Sequence, residues 1–158
     1  MPNTVTLRPI TIQDAEVMVG VLSDPTLYQF MGGEPPTVAE LEQRYTIQTR
    51  GQSPDRSAEW INMAVVLDPG QKLIGYVQAT VPHDGGPTEI AWVIGRPWQG
   101  QGHASRAAEL LFQYLRQRGV CNLVAHVHPE HAASQAIASK LGMTPTEVLV
   151  DGETRWET

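Results

Sequence analysis

At Gln99-Gly100-Gln101-Gly102-His103-Ala104 the hydrophobic rhythm of the chain changes, and the change dictates a strand–turn–helix unit. Before it, residues 89–94 read as a strand. After it, Ala104, Ala107, Ala108, Leu111 and Leu115 recur at helical spacing until Gly119 ends the run. The start of such a helix carries unpaired backbone N–H groups and the positive end of the helix dipole, so it attracts phosphate oxygens. Gly100 and Gly102 remove side chains that would keep a bulky anion away from the main chain. The segment does not end in Gly-Lys-Ser/Thr, as a Walker loop does. A dinucleotide fingerprint needs a third small residue, which Ser105 fits only roughly, and an early βαβ position that this turn lacks. By spacing alone, Gly-x-Gly is equally a tight strand-to-helix connection.

Upstream, residues 5–9 read as a short strand. Thr11 caps a helix with Asp14 and Glu16 in its first turn, and Ile12, Ala15, Val19 and Leu22 supply its apolar stripe. Asp24-Pro25 ends that helix and starts a short one toward Met31. After the break at Gly32-Gly33-Glu34-Pro35-Pro36, Thr37 and Glu40 form a capping-box pattern ahead of a helix to about Thr49. Residues 51–57 are a loop. Residues 60–67, 73–81 and 89–94 form a β meander with turns at Asp68-Pro69-Gly70 and His83-Asp84-Gly85-Gly86-Pro87. Residues 123–128 are a strand, which the intervening helix makes a parallel partner of 89–94. A helix from about His131 to Leu141, with Ala133, Ile137 and Leu141 on one face, precedes a closing hairpin of 145–150 and 154–157 about Asp151-Gly152. The order predicts a mixed α/β fold.

The 158 residues, 41% hydrophobic and 18% charged, suit one domain (residues 1–158) with one core rather than a disordered chain. A net charge of -6, with 11 Lys and Arg and no run of them, argues against a nucleic-acid partner and is compatible with cationic acceptors such as amines. Cys121 is the only cysteine, so no intramolecular disulfide forms, and with no paired base in sight it reads as structural. The start, Met1-Pro2-Asn3-Thr4, lacks the basic-then-apolar pattern of a leader. Unbroken apolar runs such as 63–67 fall far short of the ~20 residues that a spanning helix needs. A cytoplasmic location without a membrane partner is the expectation.

Gln99-Gly100-Gln101-Gly102-His103-Ala104 resembles the Gln/Arg-x-x-Gly-x-Gly/Ala signature of the GNAT acetyltransferases. The flanking Glu89-Ile90-Ala91-Trp92-Val93-Ile94 is also similar. So are His128-Pro129-Glu130-His131-Ala132-Ala133-Ser134 and Lys140-Leu141-Gly142-Met143, and with Leu7-Arg8-Pro9 and Asp14-Ala15 they are most similar to the ribosomal-protein N-terminal acetyltransferase branch. The resemblance covers nearly the whole chain in order. It implies a three-layer sandwich whose mostly antiparallel sheet splays between strands 4 and 5, with helices on both faces. It further implies acetyl-CoA as co-substrate, no metal, and direct acetyl transfer in a ternary complex to a primary amine, either a small amine or a protein N-terminus. Main-chain groups of Trp92, Val93 and Ile94 would hold the pantetheine. Amides of Gln99, Gly100, Gln101, Gly102, His103, Ala104 and Ser105 would hold the diphosphate.

Such chemistry needs a neutral amine, a stabilised oxyanion and a proton for the leaving thiolate. Glu89 matches an acidic base in some relatives; its other reading is a solvated glutamate at a strand start. Glu153 on the closing hairpin is a second acidic candidate. Many relatives carry a tyrosine acid where this chain has Ala138. Ser134 keeps the Asn-x-x-Ser spacing of the branch that places a serine hydroxyl near the CoA sulfur; otherwise it is a first-turn serine bonding to the backbone. His131 stands where the family has asparagine, and its imidazole can hydrogen-bond a pantetheine amide. The Val93 amide is the oxyanion donor by resemblance.

His126 and His128 share a strand face and, with His131, form a candidate metal set, but no nearby cysteine completes it, and surface histidines are the alternative. Trp60, Trp92, Trp98 and Trp156 suit core or edge packing better than an acceptor pocket. The sequence also admits two rivals: a module that binds CoA or acyl-CoA without catalysis, and a nucleotide-binding α/β domain. Acceptor pockets in the family come from the first helices and the closing hairpin, and that hairpin offers a strand for pairing across a homodimer.

Overall fold

The computed structural model describes residues 3–158; Met1 and Pro2, half of the stretch read for a leader, lie outside the described residues. Seven strands form one sheet in the order β1-β2-β3-β4-β5-β7-β6. They are β1 (Thr4–Pro9), β2 (Ala58–Asp68), β3 (Lys72–Pro82), β4 (Thr88–Ile94), β5 (Leu123–Val127), β6 (Thr144–Val150) and β7 (Glu153–Glu157). Every neighbouring pair is antiparallel except β4–β5, which the helical crossover between them makes parallel, as expected from the sequence.

Alternation along β2 and β3, broken by a register shift that leaves Ile74 unpaired opposite Val65 and Val66, builds two cores. Val65 and Leu67 of β2 and Ile74 and Val77 of β3 face α4 (His103–Gln117), whose Ala107, Ala108, Leu111 and Leu115 are fully buried. Ala64 and Val66 of β2 and Leu73 of β3 face the other way, onto α1 (Ala15–Val21) and α3 (Val38–Gln48). The sheet is thus sandwiched, and each face draws its cover from a different third of the chain. Burying each leucine of the α4 stripe contributes roughly 1.5–3 kcal/mol.

The caps behave as their chemistry dictates. Thr37 Oγ1 accepts from the Glu40 N–H at 3.2 Å, and Glu40 Oε1 accepts from the Thr37 N–H at 3.2 Å, closing the capping box of α3. The first helix differs from expectation in register. A 3-10 turn at Ile12–Asp14 precedes α1, and the buried stripe is Ala15, Met18, Val21 and Leu22. Ile12 is exposed and Val19 half-buried, because the tighter turn rotates the following residues relative to a continuous α-helix. A short α2 (Tyr28–Met31) ends at Gly32. In α5 (Ala132–Lys140) the fully buried residue is Ala138, whereas Ala133 is exposed.

β7 inserts between β5 and β6, so the hairpin joins the sheet through its second strand and leaves β6 at the edge. Cys121, read as structural, is exposed, its Sγ 3.8 Å from the Gly119 carbonyl. Among the described residues no helix is long and apolar enough to cross a membrane.

Candidate functional site

β4 and β5 pair at only two positions, Thr88↔Leu123 and Glu89↔Val124, held by a 2.8 Å bond from the Thr88 N–H to the Asn122 carbonyl. β4 continues to Ile94 and β5 to Val127 without further pairing between them. A cleft of about 750 Å3 fills the gap, walled by both strands, the start of α4, α5 and α2.

Backbone alternation decides which β4 groups face this cleft. Thr88 donates toward β5, while Gly95 donates to the Ile74 carbonyl of the β3 side at 2.8 Å. The β3–β4 ladder between them has no register break. Main-chain groups of Trp92 and Ile94 therefore point into the split, whereas those of Val93 point to Tyr76 in the neighbouring strand. On this register the Val93 amide, expected as the oxyanion donor, faces β3, although Val93 also borders the cleft. Gln99 also has a different part: its Nε2 donates to the Ile94 carbonyl at 2.9 Å, tying the end of β4 to the turn.

The turn itself is shaped for an anion. Gly100 (φ +74°) and Gly102 (φ +85°) adopt left-handed conformations, and open space lies where a Cβ would project. Gly102 caps α4, whose first turn holds no acidic side chain. His103, Ala104 and Ser105 line the cleft there, presenting the first N–H groups of a 15-residue helix. His103 Nε2 is buried without a hydrogen-bond partner. Gln101, expected among the diphosphate ligands, is off the cleft wall, its Nε2 3.3 Å from the Pro97 carbonyl. Of the four tryptophans only Trp92 lines the cleft; Trp156 is core, and Trp98 packs between the two cores under Lys72.

The opposite end is a cluster of titrating groups. His126 Nδ1 lies 3.2 Å from Glu89 Oε1, linking β5, two residues past its last paired position, to the last paired residue of β4. His128, the residue after β5, lines the same cleft, and Glu153 enters from β7. Partial burial raises the Glu153 carboxyl above its usual range, Glu89 and Asp151 adding to the rise while His126 and His128 oppose it. Burial, then the neighbouring His128, lowers His131 and favours its neutral imidazole. Ser134 Oγ is 3.5 Å from His131 Nε2, a contact at the outer limit of a hydrogen bond. Phe30 of α2 stacks on His131 with ring centroids 4.5 Å apart and leans on His128 at 5.0 Å, forming a wall across the cleft. Among the described residues no three metal-ligating side chains converge.

The structure thus gathers Glu89, Trp92, Ile94, Gly100, Gly102, His131 and Ser134 around one space, with Glu153 at its acidic end. Sequence reasoning missed Phe30 and Arg96, whose Nη1 donates to Thr26 Oγ1 at 2.8 Å beside the cleft. Nothing in the pattern of such short helical turns signals either contact. The pairing of His126 with Glu89 was closer to hand, since parallel strands with Glu89 opposite Val124 put His126 on the same face.

Comparisons agree with this geometry. A model of the acetyltransferase (GNAT) domain matches residues 4–144. The chain is 25% identical over 150 residues to an uncharacterized N-acetyltransferase, p20, of Bacillus licheniformis, covering 94% of this chain and 83% of that protein. It is 36% identical over 93 residues to an L-2,4-diaminobutyric acid acetyltransferase of Marinococcus halophilus, covering 54% of this chain and 52% of that one. Spermidine N-acetyltransferase of Vibrio cholerae, solved in complex with CoA and spermine, superposes with a TM-score of 0.78 at 19% identity, over 98% of this chain and 94% of that one. With the split sheet, the glycine turn and a domain match over most of its length, the chain belongs to the GNAT family of acetyltransferases.

Proposed function

We propose that the chain, acting as one domain over residues 1–158, transfers an acetyl group from acetyl-CoA to a primary amine by direct attack in a ternary complex. The observation that carries this reading is the split between β4 and β5, which opens onto the acid-free N-terminus of α4. An extended arm with amide groups fits between the strands, and a diphosphate fits the helix start. Acetyl-CoA supplies the activated acyl carbon. Trp92 and Ile94 offer main-chain partners to the arm, Gly102, His103, Ala104 and Ser105 offer amides to the diphosphate, and His131 offers a neutral ring nitrogen. Glu89 or Glu153 draws the cationic amine into the acidic end, and Ser134, the hydroxyl on α5 nearest His131, is the proton source for the departing thiolate.

The test couples calorimetry with CoA to a free-thiol assay using acetyl-CoA and a panel of amines. Spermidine, L-2,4-diaminobutyrate, an aminoglycoside and a peptide with a free N-terminus make the panel. The first two follow from the relatives named above, and the last from the resemblance to ribosomal-protein N-terminal acetyltransferases. Amine-dependent thiol release is the expected result; absence of CoA binding overturns the reading. One observation favours the alternative of a CoA-binding module without catalysis. Ala138 is fully buried where many relatives place a tyrosine, leaving Ser134 to supply the acid. CoA binding with no turnover on any amine would establish that alternative.

A further inference from the structure

We propose that His126, with its ring oriented by Glu89, is the group that takes the proton from the incoming amine. The inference rests on the acyl-transfer reading and deepens it. Tautomer logic carries it. A carboxylate only accepts hydrogen bonds, so the 3.2 Å contact to Glu89 Oε1 requires the hydrogen to sit on His126 Nδ1. Nε2 of a neutral ring is then left with its lone pair, and among the described residues it has no other side-chain partner. The imidazole is the sheltered member of the pair, 16% exposed against 58% for Glu89, and it lines the cleft beyond the last paired residues of β4 and β5.

The surroundings suit an arriving cation. Glu89 of β4 and Glu153 of β7 flank His126, and His128 follows just past the end of β5. Arg155, opposite His126 on β7, is turned onto Glu157 at 2.7 Å. Phe30 of α2 closes the far side without adding charge.

An ammonium gives one proton to His126 Nε2, which becomes imidazolium. The freed nitrogen lone pair forms the C–N bond to the thioester carbon, and the C–S electrons leave with sulfur as that intermediate collapses. The second nitrogen proton passes to sulfur, with the Ser134 hydroxyl as relay, giving amide and CoA thiol. His126 then releases its proton to water, so one proton leaves per turnover.

The experiment compares wild type, His126→Gln and Glu89→Gln by thiol release with two nucleophiles: the best alkylamine of the panel, and hydroxylamine, which is already neutral at pH 7. CoA affinity is measured calorimetrically for each protein. With the alkylamine, His126→Gln should lose about 100-fold in kcat/KM. With hydroxylamine the loss should be under about fivefold, and CoA affinity should be unchanged. For Glu89→Gln the loss should be smaller and again confined to the alkylamine. Equal losses with both nucleophiles, or a larger loss in Glu89→Gln than in His126→Gln, overturn the assignment. Wild type that binds CoA but acetylates neither nucleophile overturns the transferase reading itself, and the assignment with it.

Discussion

Gly102 combines a left-handed backbone with an open cradle, and the two properties make separate demands on a substitute. At φ +85° and ψ 2° a side chain is strained, but aspartate and asparagine tolerate this region better than other residues. Nothing within 4 Å blocks a Cβ there. Gly102→Asp should therefore fold while placing a carboxylate at the anion end of α4, and CoA affinity should fall at least about tenfold, or ~1.4 kcal/mol. Gly102→Asn, which keeps the shape and drops the charge, should lose much less. Calorimetry on the pair checks this, and equal losses would mean that bulk rather than charge matters. Val93 shows where residue-scale reading stopped. Its place in the motif was visible, but which way its amide points depends on the β3–β4 register.

Local elements were legible where a cap or a period fixes them. Thr37 with Glu40, and the alanine–leucine stripe of α4, stand where their chemistry puts them. The register of α1 was not, because the 3-10 turn before it is set by Asp14 rather than by hydrophobic spacing. Asp14 takes two 2.8 Å bonds from Arg8 of β1 and one from the Thr11 N–H, stitching strand to helix. The Arg8 guanidinium, followed by the Thr11 bond, holds the Asp14 carboxyl below its usual range although partial burial opposes the shift. A carboxylate lowered on folding stabilises the protein above its unfolded value, near pH 4, and loses that contribution as pH falls through the folded one. Asp14→Asn should cost about 1 kcal/mol at pH 7, discounted for the exposed arginine, with the gap to wild type narrower at pH 3. Urea denaturation at both pH values measures it.

At the scale of the whole molecule, the order of elements and the mixed sheet could be read from hydrophobic rhythm and crossover length. The wall made by Phe30 could not, since it joins residues about a hundred positions apart that no local pattern links. The same holds for β7, whose place beside β5 brings Glu153 to the site. The divergence of β4 from β5 has a further consequence: it leaves a ladder unfinished, with amide protons of Trp92 and Ile94 turned to solvent in the middle of an otherwise zipped sheet. Deuterium should enter these two positions quickly in the ligand-free protein and slowly once CoA is added, while Val93 between them stays protected throughout. A uniform rate across the three would mean that the strand is frayed rather than waiting for a partner.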